Sequence, residues 1–303
     1  MNDKVELRKR RDFSENISSV FQIIRTEFKQ FVGAIILIAG PLMLVVSIAI
    51  AYVTLNAMDT FSTMDPGSDS SSDVFFGRYV QITFSYVALW LGYTFISIVT
   101  CAYLKVYLEV KKATDITTNM VWNETRKNLL RVTMASILNL IIIAFATLFL
   151  VVPGLIMWVY LSLVIPIMII EGESYSKAFD KSFKYLTNNF WITVGIAIVV
   201  GLIAYMISFA FSIPNIILSF VWQFNSIETM NNSGGNSAMG ETFSFIFLAS
   251  TIIANLARLL TYCIPTLSLG LHYYNLKEQK DSTGLMDQIA NMGQTIIVED
   301  ETY

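Results

Sequence analysis

The only histidine, His272, is the first residue to consider for chemistry, because Ser-His-Asp and Cys-His catalytic sets both require one. It lies in the run LGLHYYNLK, a setting typical of an aromatic anchor at a membrane surface. Cys101 and Cys263 are far apart in apolar stretches, which favours buried thiols over a disulfide or a zinc site. Walker and dinucleotide glycine motifs are missing from the sequence. We therefore expect no catalytic residues, no metal and no cofactor, and an intramembrane enzyme using His272 ranks behind non-enzymatic functions.

Arg258 is the residue most suggestive of a binding function, because it is a charge within a long apolar stretch. Such a charge costs about 2.5 to 3.5 kcal/mol at the bilayer centre even on the lenient insertion scale. We expect Arg258 to face the helix bundle or a wet cavity and to have a partner. One interpretation is a hydrogen-bonded structural contact or a snorkelling side chain, and the other is a contact with lipid or another subunit. Candidate residues around it are Asn139, Asn215 and Asn255.

The composition places these residues in a membrane protein. Hydrophobic residues make up 54% of the 303 residues and charged residues only 14%, whereas soluble proteins average roughly 25% charged residues. Apolar runs of about 18 or more residues recur, and each is long enough to cross a hydrocarbon core about 30 Å thick. The runs are continuous rather than alternating with polar residues, which excludes a β-barrel. The sequence predicts an all-α polytopic membrane protein.

Polar segments divide the apolar sequence into six predicted spans. The stretch 132–170 would be roughly 58 Å long as one helix, about twice the thickness of the core, so we expect it to turn back at Pro153-Gly154. It leaves the membrane at Glu171-Gly172. The predicted transmembrane domain is 1–275, with hairpins at 31–106, 132–170 and 189–275. Each hairpin is preceded by a predicted cytoplasmic amphipathic helix, at 13–29, 113–131 and 174–187. We expect the cytoplasmic tail, 276–303, to be partly disordered.

Lysine and arginine are distributed very unevenly among the polar segments. Eighteen of the twenty lie in the N-terminal segment, in 105–131, in 171–188 or in the tail. The positive-inside rule therefore predicts that both termini are cytoplasmic. The polar N-terminus favours an uncleaved first span over a signal peptide. The basic clusters would also attract anionic phospholipid, whereas nothing in the sequence suggests nucleic acid as a partner.

The layout of surface segment, span, outer turn and span occurs three times, over 13–106, 113–170 and 174–275. The first and third copies align at a constant offset, which pairs Phe21 with Phe183 and Gly33 with Gly195. An internal duplication is one explanation. The other explanation is chance similarity between segments of the same restricted, apolar composition. Both explanations predict three hairpins, each entered from a surface helix.

The run from Pro153-Gly154 through Glu171-Gly172 to Asn189-Phe190-Trp191 resembles a family of poorly characterised six-span bacterial membrane proteins. That family is related to the membrane domain found in front of some glycerophosphodiester phosphodiesterases and to the YciC-like proteins. The resemblance covers nearly the whole chain and implies a fold. In the enzymatic relatives the chemistry is carried by a separate soluble barrel with His and acidic metal ligands, so phosphodiesterase activity is not expected here.

Two functional hypotheses remain. The first is a scaffold or accessory subunit of a membrane complex, based on the ordinary surface helices and the missing catalytic sets. The second is a lipid or small-solute transporter with a site near Arg258, based on the proline-containing spans 5 and 6, because broken helices can line a midplane site.

Overall fold

The computed structural model of the chain describes residues 5–63, 71–110, 112–231 and 241–281. These residues form ten α-helices and one short 3-10 helix, with no β-strand among them. Six helical segments are long and apolar enough to cross a membrane. The predicted fold class, an all-α polytopic membrane protein, is confirmed.

The helices follow the predicted hairpins with longer ends than the apolar runs alone suggest. Helix α3, for example, ends at Glu109, three residues after the predicted end at Val106. The helices are α1 (Phe13–Thr26), α2 (Phe28–Thr63), α3 (Ser71–Glu109), α4 (Thr118–Phe149), α5 (Val151–Leu161), α6 (Val164–Ile170), α7 (Tyr175–Leu186), α8 (Phe190–Asn231), α9 (Glu241–Thr261) and α10 (Cys263–Asp281).

The outer turn of the middle hairpin lies earlier than predicted. Leu150, with extended backbone angles, separates α4 from α5, so the expected turn at Pro153-Gly154 is wrong by three residues. Pro153 lies in the first turn of α5, where a missing N–H costs no helical hydrogen bond. Gly154 instead permits a close approach, because a Cβ there would lie 2.1 Å from the Oγ1 of Thr147 on α4.

The predicted second surface helix, 113–131, is not a separate element. A 3-10 helix at Ala113–Asp115 precedes α4, which begins at Thr118 and continues without interruption into the span. The side chain of Thr117 caps α4 by accepting a hydrogen bond from the Met120 N–H. No residue between this cap and Leu150 interrupts helical hydrogen bonding, so one helix of 32 residues forms. The other two surface helices are close to their predicted bounds, as α1 and α7.

Two returning spans are broken a few residues before a proline. The first break separates α5 from α6, ahead of Pro166, and the second separates α9 from α10 at Tyr262, ahead of Pro265. At each break the backbone N–H bonds three residues back, from Ser162 to Val159 and from Tyr262 to Leu259. Proline cannot supply the N–H that would continue the preceding turn. The predicted single helix for span 6 is therefore two helices.

The chain separates into two compact units. Unit 1 contains Met1–Ala34, Ser97–Gly201 and Ile264–Tyr303, and thus α1, the middle hairpin, α7 and α10. Its core includes fully buried Tyr103, Tyr107 and Tyr273. Unit 2 contains Ile35–Ile96 and Leu202–Cys263, and thus α9 with parts of α2, α3 and α8. The predicted tail begins inside α10, which extends to Asp281, and residues 282–303 lie outside the described part of the chain.

Candidate functional site

Arg258 lies on α9 in unit 2, and its side chain is exposed on the surface of that unit. None of the ion pairs found among the described residues involves it. The hydroxyl of Tyr93 on α3 lies within electrostatic range of its guanidinium. The ring of Tyr93 packs against that of Tyr262, with centroids 4.5 Å apart. The expectation that Arg258 faces the helix bundle or a wet cavity stays a prediction, and the structure shows an exposed side chain.

The three asparagines predicted around Arg258 have other partners or positions. Asn215 on α8 donates to the hydroxyls of Ser250 (3.3 Å) and Thr251 (2.6 Å) on α9. Asn139 lies in unit 1, where it accepts a 2.9 Å hydrogen bond from the Tyr175 hydroxyl. Asn255 is buried on α9. Asn139 and Asn215 thus join helices within their units, and sequence position alone could not show which face of a helix each asparagine occupies.

Unit 2 also contains an apolar cavity of about 700 Å³. Its walls come from α2 around Gly40-Pro41, from Phe211 on α8 and from α9 between Ile253 and Thr261. Ser208 on α8 and Thr261 on α9 are hydrogen-bonded through their hydroxyls. The cavity is therefore suited to hydrocarbon rather than to a polar solute.

Glu171, which ends α6, is the centre of a polar cluster in unit 1. It accepts hydrogen bonds from Lys277 on α10 (2.6 Å) and from Lys181 on α7 and Tyr273 on α10. Burial on its own raises the pKa of the Glu171 carboxyl, but these three hydrogen bonds outweigh it and lower the pKa to about 2. The hydrogen bond to Glu171 in turn raises the pKa of Lys181. The cluster ties α6, α7 and α10 together through charge.

The residues beside Glu171 complete this joint. Gly172 has a φ of +73°, a conformation that favours glycine, and this lets the chain turn from α6 into α7. The guanidinium of Arg131 on α4 donates to the carbonyls of Gly172 (3.0 Å) and Met168 (2.7 Å). Glu173 pairs with Lys177 at 3.5 Å and with Lys181 at 2.9 Å. The sequence predicted Glu171-Gly172 as an exit from the membrane, but the spacing did not reveal the partners of Glu171 on α10.

His272 is fully buried on α10, and both of its ring nitrogens are engaged. Thr193 donates its hydroxyl to the Asn189 carbonyl, so it accepts the 2.8 Å hydrogen bond from the histidine Nε2. Nδ1 then accepts from the side-chain amide of Asn16 on α1, at 3.1 Å. This pattern defines the neutral Nε2–H tautomer. The residue joins α1, α8 and α10 through these hydrogen bonds.

The segment before α1, residues 5–12, packs on unit 1 without helical structure. The Val5 N–H donates to the Tyr107 hydroxyl at 2.9 Å. Arg11 and Asn275 form a reciprocal pair, in which the Arg11 N–H donates to the asparagine Oδ1 and the asparagine Nδ2 donates to the Arg11 carbonyl, both at 2.9 Å. Leu7 is almost fully buried. The polar N-terminus thus forms part of the folded unit, which its composition did not indicate.

The described residues contain no group of three or more His, Cys, Asp or Glu side chains placed to hold a metal ion. Both cysteines are free and buried, as predicted. Comparison of the chain with protein-family models, with curated proteins and with solved structures finds no match. The site therefore has to be interpreted from its own geometry.

Proposed function

We propose that this integral membrane protein is a non-enzymatic scaffold or accessory subunit of a membrane complex. The observation that supports this function is the exposed Arg258, which has no acidic partner among the described residues. It lies sixteen residues after Thr242 and twenty-three before Asp281, which are the two ends of the candidate membrane span that contains it. An exposed charge within a span is costly, and a group of complementary chemistry that covers it lowers this cost.

Purification in a mild detergent tests this proposal. The wild-type protein should retain a stoichiometric membrane-protein partner. The Arg258→Ala variant should lose most of this partner, and it should elute at the position of wild-type protein from which the partner has been removed. Tyr205→Leu, a change at an exposed tyrosine of α8, is the matched control and should retain the partner. A wild-type protein that purifies alone under all detergent conditions would argue against the accessory role.

The second proposed function, a lipid or small-solute transporter, is favoured by the apolar cavity of unit 2 and by the break in span 6. Gly40 lines the cavity, and a Cβ there would contact only Ile36 of its own helix, at 3.8 Å. Gly40→Phe should fill the cavity. If the protein transports lipid, this variant should stop the movement of a fluorescent phosphatidylglycerol in proteoliposomes, whereas Gly201→Phe, at an open position of α8, should not. Wild-type proteoliposomes that match empty liposomes would reject transport of this lipid.

We further propose a bacterial inner-membrane location with both termini in the cytoplasm. The distribution of Lys and Arg supports this orientation. Trp191, which is 80% exposed at the start of α8, fits an interfacial position on either side of the membrane. Cysteines introduced at positions 69 and 235 should react with a membrane-impermeant reagent from outside intact cells. Reaction from the cytoplasmic side alone would reverse the orientation.

The resemblance to the six-span family stays a proposal about fold. The Gly154 approach to Thr147 and the positive φ of Gly172 give structural reasons for two of its motifs. The absence of an enzymatic function is also a proposal, supported by the engagement of both ring nitrogens of His272. Hydrolysis of a glycerophosphodiester by the purified protein, lost in His272→Ala, would contradict it.

A further inference from the structure

Three tyrosines on α3, Tyr79, Tyr86 and Tyr93, recur at intervals of seven residues in unit 2. Two helical turns separate neighbours at this spacing, so the three share one face of the helix. Tyr79 is 71% exposed, Tyr86 is 70% exposed and Tyr93 is half-buried against Tyr262. A seven-residue repeat is also the spacing at which one helix contacts another along a coiled-coil seam. We call these three residues the tyrosine stripe.

Placement in the aromatic belt at the membrane surface explains only the first member of the stripe. Tyr86 lies ten residues inside Phe76, where the candidate span begins, and this is about 15 Å along the helix. Tyr93 lies about 10 Å deeper. A tyrosine hydroxyl usually has a hydrogen-bond partner when it is removed from water. An exposed row of tyrosines at this depth therefore fits contact with another helix better than contact with acyl chains alone.

The last member of the tyrosine stripe lies close to Arg258. Tyr93 is the member within electrostatic range of the guanidinium, and its ring packs on Tyr262, four residues after Arg258 on α9. Aromatic rings and an exposed cation thus lie together on unit 2. This combination is typical of the central residues of protein interfaces, where Tyr and Arg are enriched.

Charge complementarity determines the chemistry of the occupant. The arginine is complemented by an anion, and its position sixteen residues after the start and twenty-three before the end of the candidate span places it away from both ends of that span. A lipid phosphate lies at headgroup depth, whereas a carboxylate on a transmembrane helix can lie at any depth. Arginine also binds a carboxylate through two parallel hydrogen bonds. The carboxylate of a helix is therefore the better match.

We propose that the tyrosine stripe and Arg258 form the docking face for a transmembrane helix of a partner protein, which presents a single intramembrane Asp or Glu to Arg258. The helix packs along Tyr79, Tyr86 and Tyr93 and places its carboxylate beside Tyr93. This inference rests on the proposed accessory function and adds the chemistry of the partner. The pairing makes both charges tolerable within the membrane, since each neutralises the other.

A defined probe tests the pairing. Purified protein is placed in phosphatidylcholine liposomes with a labelled poly-leucine transmembrane peptide that carries one central Glu, at a low peptide-to-lipid ratio, and association is measured by energy transfer. The matched probe carries Gln in place of Glu. We expect the Glu peptide to bind about tenfold more tightly, a difference of about 1.4 kcal/mol. Arg258→Leu should reduce its affinity to that of the Gln peptide.

The tyrosine stripe is tested with the same peptides. Tyr86→Leu should weaken the binding of both peptides by about threefold, because it removes packing rather than charge, and Tyr205→Leu should leave both unchanged. Circular dichroism and elution volume establish that each variant is folded. Equal binding of the Glu and Gln peptides to folded wild-type protein overturns the proposal.

Other occupants give distinct results. If Arg258 binds lipid phosphate, phosphatidylglycerol will bind to wild type and not to Arg258→Leu, and the Glu peptide will show no preference. If a second copy of the chain occupies the docking face, the protein will self-associate in the absence of peptide, and Arg258→Leu will abolish this self-association. Either result overturns the proposal. Loss of a native partner in Arg258→Ala, without discrimination between the peptides, overturns this inference alone and leaves the accessory function in place.

Discussion

The Nζ of Lys277 lies 2.6 Å from the Oε1 of Glu171, which joins residues 106 positions apart. Lys181 and Tyr273 donate to the same carboxylate. The Glu171 side chain is 11% exposed, whereas that of Glu173 is 26% exposed. Two glutamates separated by a single glycine therefore differ greatly in their contribution to the fold.

Replacing Glu171 with Gln should destabilise the protein substantially. The change leaves Lys277 without its carboxylate partner and leaves Lys181 with Glu173 alone, and a hydrogen bond to a charged group contributes about 1.5 to 3 kcal/mol. We expect a loss of about 2 to 3 kcal/mol, measured as a lower midpoint of thermal unfolding in detergent. Glu173→Gln is the control and should lower the midpoint much less, because the Glu173 carboxylate is more exposed than that of Glu171 and its partner Lys177 is 70% exposed. Equal effects of the two substitutions would contradict the central position of Glu171.

Acid should weaken the fold through the same carboxylate. Its pKa is about 2 in the folded protein and 4.5 ordinarily, so the folded state binds the proton less readily than the unfolded state does. The stabilisation is complete above about pH 5 and is lost as the pH falls toward 2. The unfolding temperature of the wild type should fall through this window, and the difference between wild type and Glu171→Gln should shrink. A difference that persists unchanged at pH 2.5 would exclude this explanation.

Gly154→Ala should disturb the middle hairpin. A Cβ at this position would lie 2.1 Å from the Oγ1 and 3.1 Å from the Cα of Thr147, so the α4–α5 contact must open. Overpacking of this kind costs about 1 to 3 kcal/mol, which thermal unfolding in detergent can detect. Gly201→Ala is the control, because nothing lies within 4 Å of its added Cβ. It should be neutral or stabilise by up to about 1 kcal/mol through helix propensity. A stable Gly154→Ala protein would show that the hairpin is packed less closely.

The N-terminal segment should detach when its reciprocal pair is removed. Asn275→Leu deletes both hydrogen bonds to the backbone of Arg11, each contributing about 1 kcal/mol. Limited trypsin digestion after Arg8, Lys9 and Arg10 should then be about ten to thirty times faster, in line with a change of about 2 kcal/mol in local opening. Asn188→Leu, at an exposed position, is the control. Equal cleavage of both variants would mean that the segment is held mainly by Leu7 and Val5.

The fold class and the approximate topology follow from the sequence. A long apolar segment with few charges is stable in a bilayer as a helix, because a helix makes all of its own backbone hydrogen bonds. The runs predicted six spans, which the structure confirms as six candidate membrane-crossing segments. The surface helices at 13–29 and 174–187 were also predicted closely. Their periodic apolar and polar residues are a local signal. Proline was a weaker guide, since Pro153 begins a helix whereas Pro166 and Pro265 follow breaks.

The tertiary structure alone decided which polar residues meet. Glu171 with Lys277, Arg11 with Asn275 and His272 with Asn16 are pairs of residues more than 100 positions apart, and no local pattern encodes such contacts. The same holds for Arg258, whose type and position in span 6 are plain from the sequence. Its exposure depends on how α9 packs in unit 2 and therefore on the side chains of other helices. Composition determines that a helix is in the membrane, whereas packing determines which face of it is left exposed.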